Sequence, residues 1–377
     1  HEPERQTAGM ARDSLRAYRD MGRLTGRTVG YRGTGVLTLA GPDQPEEIED
    51  IRAGIAMQRS IGINVKEVGA EEIRLLVPGA VVAEGSVGAY EPDGGIVDPK
   101  QTLEVFASLA RSSGATVRMG TEIQSLIVEN GRVTGVKTNH REIKTNHVVL
   151  TAGPWTASLL KKFDVETQLR TLRPSYLFVQ MPGADMADDL TDGEDLQNTD
   201  YRRKDELGLL GTPDIGKDLE EEMELRYGSG QNTEAPAPHP VIYDLEHDFY
   251  AKPDPAAGST RISRLDSSLH PEVSNPDDYD KTVDPALAAD LRERLQRRLP
   301  AYKEQEDIGT DCNLVCAMGD GRGVLGPVDQ LPGLFVITGF MGQDFNLAPS
   351  IGEGVAQMLR GEPVSAFSAE FFTAERL

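Results

Sequence analysis

The run LPGLFVITGFMGQDFNLAPSIGEGVAQMLRG, residues 331–361, constrains the fold more than any other stretch of the chain. Leu334 to Thr338 is short, apolar and rich in β-branched residues, the pattern of a buried strand. Glycines follow at 339, 342 and 352. Pro349 and Ser350 then precede GEGVAQMLR, a run with helical character that Gly361 closes. Strand, glycine-rich turn and helix N-terminus is an arrangement by which an α/β protein lets its backbone approach a ligand closely. The free N–H groups and partial positive charge of such a terminus suit an anionic group. A plain buried strand–helix corner fits the same residues, and both readings stand at this point.

A second segment has the same grammar. Val148 to Leu150 is apolar and runs into Thr151-Ala-Gly-Pro-Trp155, which holds the single tryptophan of the chain. Before it, Ala115 to Lys137 reads as strand, strand, Asn130-Gly131 turn and strand, the Asn-Gly pair being the hairpin signal. Pro99 to Ser113 carries Leu103, Phe106, Ala107 and Ala110 at helical spacing, with Gly114 as its stop. The order is helix, β-meander, strand, glycine turn.

With Gly33-Thr-Gly35-Val-Leu37, Gly95-Ile-Val-Asp-Pro99, Gly114 to Val136, Val148 to Trp155 and Gly326 to Gly361 in this order, the chain resembles the FAD-dependent oxidoreductases of the D-amino acid oxidase type. That group includes glycine oxidase, sarcosine oxidase and dimethylglycine dehydrogenase. Its members open with a strand and a GxGxxG turn that cradles the FAD pyrophosphate. This chain has no such motif and begins HEPERQTAGMARDSLRAYRDM, without an initiator methionine. The expectation is a fragment that lacks the first βαβ unit, roughly 30 residues or more, and that holds FAD poorly by itself.

The resemblance implies an α/β (mixed α+β) fold. A discontinuous Rossmann-like FAD-binding domain would take residues 1–30, 97–165 and 320–377. A substrate domain on a mostly antiparallel sheet would take 31–96 and 166–319. Tyr31 to Leu39, Arg173 to Gln180, Val241 to Lys252 and Thr260 to Leu265 read as its strands. Glu46 to Ile61 and Pro285 to Leu299 read as amphipathic helices, the second with Leu287, Leu291, Leu295 and Leu299 four residues apart.

The resemblance also implies site residues. Gly339, Phe340, Met341 and Gly342 would pass along the isoalloxazine. Asn346, Leu347 and Ala348 would close on its pyrimidine edge, with the helix from Ser350 stabilising negative charge on the reduced ring. Ile123 matches the position whose backbone meets the adenine. Ala152, Gly153 and Trp155 match the turn beside the ADP moiety. Amino-acid-oxidising members carry an arginine for the substrate carboxylate in a pattern like R-P-x-T-x-D-G. Here Asp320 and Gly321 match, but Val315 stands at the arginine position. Valine cannot form the bidentate contact, so Arg322, Arg261 or Arg264 is left to supply it from another element. His270 and Tyr250 are the candidate catalytic residues, set against a loop histidine and an ordinary sheet residue; Lys252 lies further back. Some relatives attach the flavin through a cysteine near here, but the matching position is Asn313, with Cys312 one residue off. A one-residue slip turns a strand side chain to the other face, so non-covalent FAD is expected, with no metal.

Composition bounds the rest. A net charge of −22 argues against nucleic acid or an anionic membrane surface as partner. Residues 183–235 hold 16 acidic and 5 basic residues, half of the excess, and read as an acidic, mobile insertion. No apolar run approaches the roughly 20 residues that span a bilayer. Cys312 and Cys316 make neither a zinc site nor a disulfide framework and fit a reducing cytoplasm. The expected function is oxidation of the CH–NH bond of an amino acid or secondary amine, by hydride transfer to flavin N5. Two alternatives stay open: a dehydrogenase of a CH–OH substrate (2-hydroxyacid or glycerol-phosphate type), or a non-catalytic remnant or subunit.

Overall fold

Alternation of apolar and polar side chains along five strands builds the largest element of the protein, an eight-stranded sheet. In the computed structural model, which describes residues 2–183 and 239–377, its strands are β1 (Val36–Ala40), β2 (Lys66–Gly69), β3 (Val87–Glu91), β9 (Ser175–Gln180), β10 (Val241–Asp244), β11 (Phe249–Asp254), β12 (Ser259–Ser263) and β13 (Asp307–Cys312). They lie in the order β13-β9-β12-β11-β10-β1-β3-β2. All neighbours are antiparallel except β1 and β10, which run parallel from Val36↔Val241 to Leu39↔Asp244. Successive side chains of a strand point to opposite faces. Leu37, Leu39, Leu177, Val179, Ile242, Phe249, Ala251 and Ile262 therefore share one buried face. Helix α6 (Pro285–Arg298) lays Leu291 and Leu295 on it, and α3 (Ala70–Leu76) adds Ile73. Pro285 at the first helical position and the Asp284 carboxylate, accepting from the Ala286 N–H, start α6 where the sequence places it. Helix α2 (Pro45–Ser60) packs Ile51 and Ile55 against Ala40 and Val87, which belong to the opposite face.

The second half of the protein is α/β. Strand β7 (Val148–Leu150) pairs in parallel with β16 (Leu334–Thr338), and β15 (Val324–Pro327) lies antiparallel on the far side of β16. A meander of β4 (Ile123–Glu129), β5 (Arg132–Thr138) and β6 (Glu142–Lys144) follows α4 (Pro99–Ser112). Asn130 and Gly131 turn β4 into β5 with φ of 52° and 74°, as a two-residue hairpin needs. Helices α1 (Glu2–Thr25) and α7 (Asp344–Arg360) pack on one another, with α5 (Thr156–Lys161) after the glycine turn. Strands β8 (Arg170–Leu172) and β14 (Val315–Ala317) pair to join the two halves. No helix among the described residues is long and apolar enough to cross a membrane.

Several expectations change. Ala115 to Gly120 is not a strand: no described strand pairs with it, and Val117 and Met119 are exposed. Val241 to Lys252 is a hairpin rather than one strand, because the polar run Glu246-His247-Asp248 turns the chain with Asp248 at φ 50°. The acidic segment expected at 183–235 lies, apart from Gly183, outside the described residues.

Two buried polar clusters pin the large sheet. Arg298, 1% exposed, donates to Asp244 from Nε (2.6 Å) and to Glu246 from Nη2 (2.5 Å), and caps the Val81 carbonyl. Burial by itself would raise the Asp244 pKa, but hydrogen bonds from His247 and Arg298 outweigh it and hold the carboxyl below its ordinary range. The second cluster is a one-way chain of donors. His239 Nδ1 lies 2.6 Å from the Pro240 carbonyl and must donate to it, so Nε2 accepts from the Tyr302 hydroxyl at 2.8 Å. Tyr302 then accepts from Thr260 at 2.7 Å. Burial pushes the His239 pKa down to about 4.

Replacing Arg298 by methionine leaves Asp244 charged and buried; the variant should lose about 3–5 kcal/mol in urea unfolding. His239 binds its proton more weakly folded than unfolded. Its contribution is complete above pH about 6.5 and is lost as pH falls toward about 4. Denaturation midpoints should fall over that interval by the equivalent of about 3 kcal/mol. His239→Gln should flatten this slope; an unchanged slope would assign it to other groups.

Candidate active site

The site begins where two parallel strands end. Ligands of open α/β sheets gather outside the carboxyl ends of their strands. Because Val336 pairs with Leu150, the turn after β16 and the turn after β7 emerge side by side. Gly153 (φ 50°) follows β7; Gly339 (79°), Met341 (50°) and Gly342 (80°) follow β16. A side chain at Gly339 would strike Met318 Cγ at 2.8 Å, so the turn is tight. At Gly153 and Gly342 nothing lies within 4 Å of where a Cβ would be, which leaves the backbone open to a flat ligand. Met341 N–H is fixed by the Cys316 carbonyl at 2.8 Å. Ile123, at the start of β4, and Trp155 are 41% and 42% exposed, although both are large and apolar. Trp155 is not a core residue; its Nε1 donates to Asp277 at 2.9 Å.

Helix α7 starts at Asp344, six residues before the expected Ser350, and carries Pro349 inside it. Proline has no N–H and cannot bond the carbonyl four residues back, that of Phe345. The Tyr18 hydroxyl of α1 donates to that carbonyl instead, at 2.6 Å, with the two rings stacked 5.9 Å apart. The Ser350 N–H donates to Ser14 Oγ (3.2 Å), and Ser350 Oγ donates to the Met10 carbonyl (2.8 Å). Ser350 therefore faces α1 and not the turn. Asn346, Leu347 and Ala348 fall within the first helical turns, where Leu347 packs into the α1–α7 core and Asn346 and Ala348 are exposed. Phe340 is also a core side chain, so only its backbone borders the turn. The Asp344 carboxylate faces the N–H groups of Phe340 and Gly342, and so competes for donors expected to be free for a ligand.

The opposite face of the large sheet approaches this turn through β14. Asn313, just before β14, accepts from the Tyr176 hydroxyl at 2.8 Å, and Cys316 within β14 holds Met341. On that face the Arg261 guanidinium lies over the rings of Tyr176 (4.9 Å) and Tyr250 (5.7 Å), and Tyr243 stands 6.1 Å from Tyr250. Lys252 is the cross-strand partner of Arg261. Burial, then the charge of Arg261, brings the Lys252 pKa down to about 8. Burial pushes the Tyr250 hydroxyl well above its ordinary value, so it stays protonated.

Tyr250 thus joins an aromatic–cationic cluster, whereas His270 sits past β12 with Asp266, Asp248 and Arg264 as charged neighbours. Burial lowers the His270 pKa. Cys312 and Cys316 are both buried, the first donating to the Lys281 carbonyl. Tyr176 and Tyr243 were not singled out from sequence. Their signal is the period-two pattern: polar and aromatic residues at 176, 250, 252 and 261 alternate with buried apolar ones.

Residues 1–358 match the family model described as FAD dependent oxidoreductase, and the chain belongs to that family. The human peroxisomal sarcosine oxidase is 31% identical over 143 residues, 38% of this chain and 35% of that protein. Human mitochondrial dimethylglycine dehydrogenase is 24% identical over 53% of this chain and 23% of its own length. The chain thus spans well under half of these two relatives. L-proline dehydrogenase from P. horikoshii shares the fold with a TM-score of 0.74 at 19% identity, covering 97% of this chain and 81% of that one. Glycine oxidase from Geobacillus kaustophilus gives 0.70 at 18%, covering 98% and 82%. FAD is the cofactor of the family. The open turns at Gly153 and Gly342, on adjacent parallel strands, fit a flat dinucleotide cofactor.

Tyr18→Phe would leave the partly buried Phe345 carbonyl without a donor. It should cost about 1–3 kcal/mol in chemical denaturation, while Tyr31→Phe, at the half-buried edge, should cost less.

Proposed function

We propose that the protein oxidises the CH–NH bond of an amino acid or secondary amine. The observation that carries this reading is the sheet face bearing Arg261, Lys252 and three tyrosines beside the Gly339–Gly342 turn. The names of sarcosine oxidase, glycine oxidase and L-proline dehydrogenase, each of an amino acid, support it. When bound, the flavin supplies the hydride acceptor at N5. The turn residues 339–342 and 152–153 would border it with backbone, as would Ile123 and Trp155 further out. Binding is non-covalent in this reading, since both cysteines are buried packing residues. Tyr250, held protonated, donates a hydrogen bond and is not a base. Lys252 changes charge closest to neutral on this face, which suits it to take the proton from a substrate ammonium before hydride leaves the α-carbon.

The protein supplied with FAD should lose its yellow colour anaerobically with N-methylated or cyclic amino acids and not with 2-hydroxyacids. Bleaching by hydroxyacids alone would overturn the proposal. Rate over substrate concentration should rise with pH through about 8, and Lys252→Met should remove that limb.

A further inference from the structure

The loop between β12 and α6 is pinned at both ends and held at its tip by a single bond. At the near end, residues 271–273 add to the edge of β8 that faces away from β14. The Arg173 N–H donates to the Pro271 carbonyl and the Val273 N–H to the Thr171 carbonyl, both at 2.8 Å, and Arg170 pairs with Glu272 at 2.9 Å. At the far end, Arg173 Nη1 donates to the Thr282 carbonyl at 2.7 Å, and the Cys312 thiol donates to the Lys281 carbonyl. Between these anchors Asn275 closes a tight turn. Its side chain accepts from the Asp277 N–H (3.1 Å) and its carbonyl from the Asp278 N–H (3.2 Å), so the tip is a preformed knuckle. Among the described residues, one hydrogen bond takes residues 274–280 to another part of the protein. It runs from Trp155 Nε1 to Asp277 Oδ1, at 2.9 Å and across 122 positions.

Trp155 stands two residues after Gly153, where the backbone lies open, and its ring is partly exposed. An indole has one donor and no acceptor, so the bond to Asp277 is the one polar contact that can fix the angle of the ring. We infer that the loop tip 274–280 is a latch on the cofactor turn, and that Asp277 is a positioning residue. It holds the Trp155 indole as an outer wall beside Gly153 and so slows the release of FAD. The inference rests on the proposed placement of FAD at the Gly153 turn. Charge sets this role apart from a simple field effect. The tip carries Asp277, Asp278 and Asp280, and FAD is an anion. Carboxylates acting only through their charge weaken the binding of an anion, whereas a latch strengthens it. Loss of Asp277 therefore has opposite consequences in the two cases.

FAD itself is the probe, and Trp155, the single tryptophan of the chain, is the reporter. Binding of FAD should quench its emission. Release of FAD on dilution, followed by free flavin fluorescence, should be about tenfold faster in Asp277→Ala than in the wild type. Asp277→Asn keeps an acceptor oxygen and should release FAD at close to the wild-type rate. Trp155→Phe should match Asp277→Ala, and the double variant should be no faster than either, because both changes remove the same bond. Asp278→Ala takes the same charge from the neighbouring position and should leave the rate unchanged. Release from Asp277→Ala at the wild-type rate or more slowly, equal acceleration by Asp278→Ala, or no binding of FAD at all would overturn the inference; Trp155→Phe decides if Asp277→Ala fails to fold. Two outcomes separate the latch from the placement of the cofactor. FAD that binds without changing Trp155 emission would remove the site at the Gly153 turn and the latch with it. Quenching by FAD with unaltered release from the Asp277 and Trp155 variants would remove the latch and leave the site.

Discussion

Pro349 breaks the hydrogen-bond ladder of α7, and the placement of the candidate site depends on how that break is filled. A proline in a helix interior leaves an orphan carbonyl and pushes its ring against it. Here α1 repairs the gap from outside: Tyr18 serves the Phe345 carbonyl, and Ser14 takes the Ser350 N–H. These contacts join residues more than three hundred positions apart and hold α7 at one angle and one depth. The turn from Gly339 to Gly342 runs straight into that helix, so its position is inherited from the α1 contact. Met10, Ser14, Tyr18 and Met21 lie along one stripe of α1 at helical spacing, which is why a single helix can grip its partner along three turns.

The large sheet answers the opposite demand. One face must be dry enough to stand on α6 and α3, and the other carries charged and aromatic groups. Period-two alternation does both with the same strands. Arg298 and Asp244 sit on the dry side as a closed ion pair, with every strong donor used. Arg261 sits on the other side with a donor left over. The contrast between the two arginines separates the face on which the sheet is pinned from the face that carries the tyrosines.

Much of this was legible in the sequence because local chemistry decided it. Asn130-Gly131 fixed a hairpin, Asp284-Pro285 a helix start, and Leu334 to Thr338 a buried strand. What failed needed partners remote in the chain. Ala115 to Gly120 has strand composition, but strand structure requires a neighbour, and none of the described strands supplies one. Pro349 looked like a helix start because its repair by Tyr18 and Ser14 cannot be seen from residues 331–361. The hairpin inside Val241 to Lys252 hid behind apolar residues on both sides of a polar turn.

The lone parallel pair of the large sheet has a consequence for how the chain reaches this state. Strands β1 and β10 meet in register from Val36↔Val241, so the two ends of the closing loop lie far apart in sequence. Closing so long a loop costs chain entropy before any contact repays it, and topologies rich in such pairings fold slowly. During synthesis β2, β3 and β1 emerge long before β10, with the edge of β1 unpaired in the meantime. An exposed strand edge with Leu37 and Leu39 on one face is a template for wrong pairing. The parallel junction therefore sets a kinetic hazard: the newborn chain must wait for its own second half, and the sheet closes only when β10 arrives.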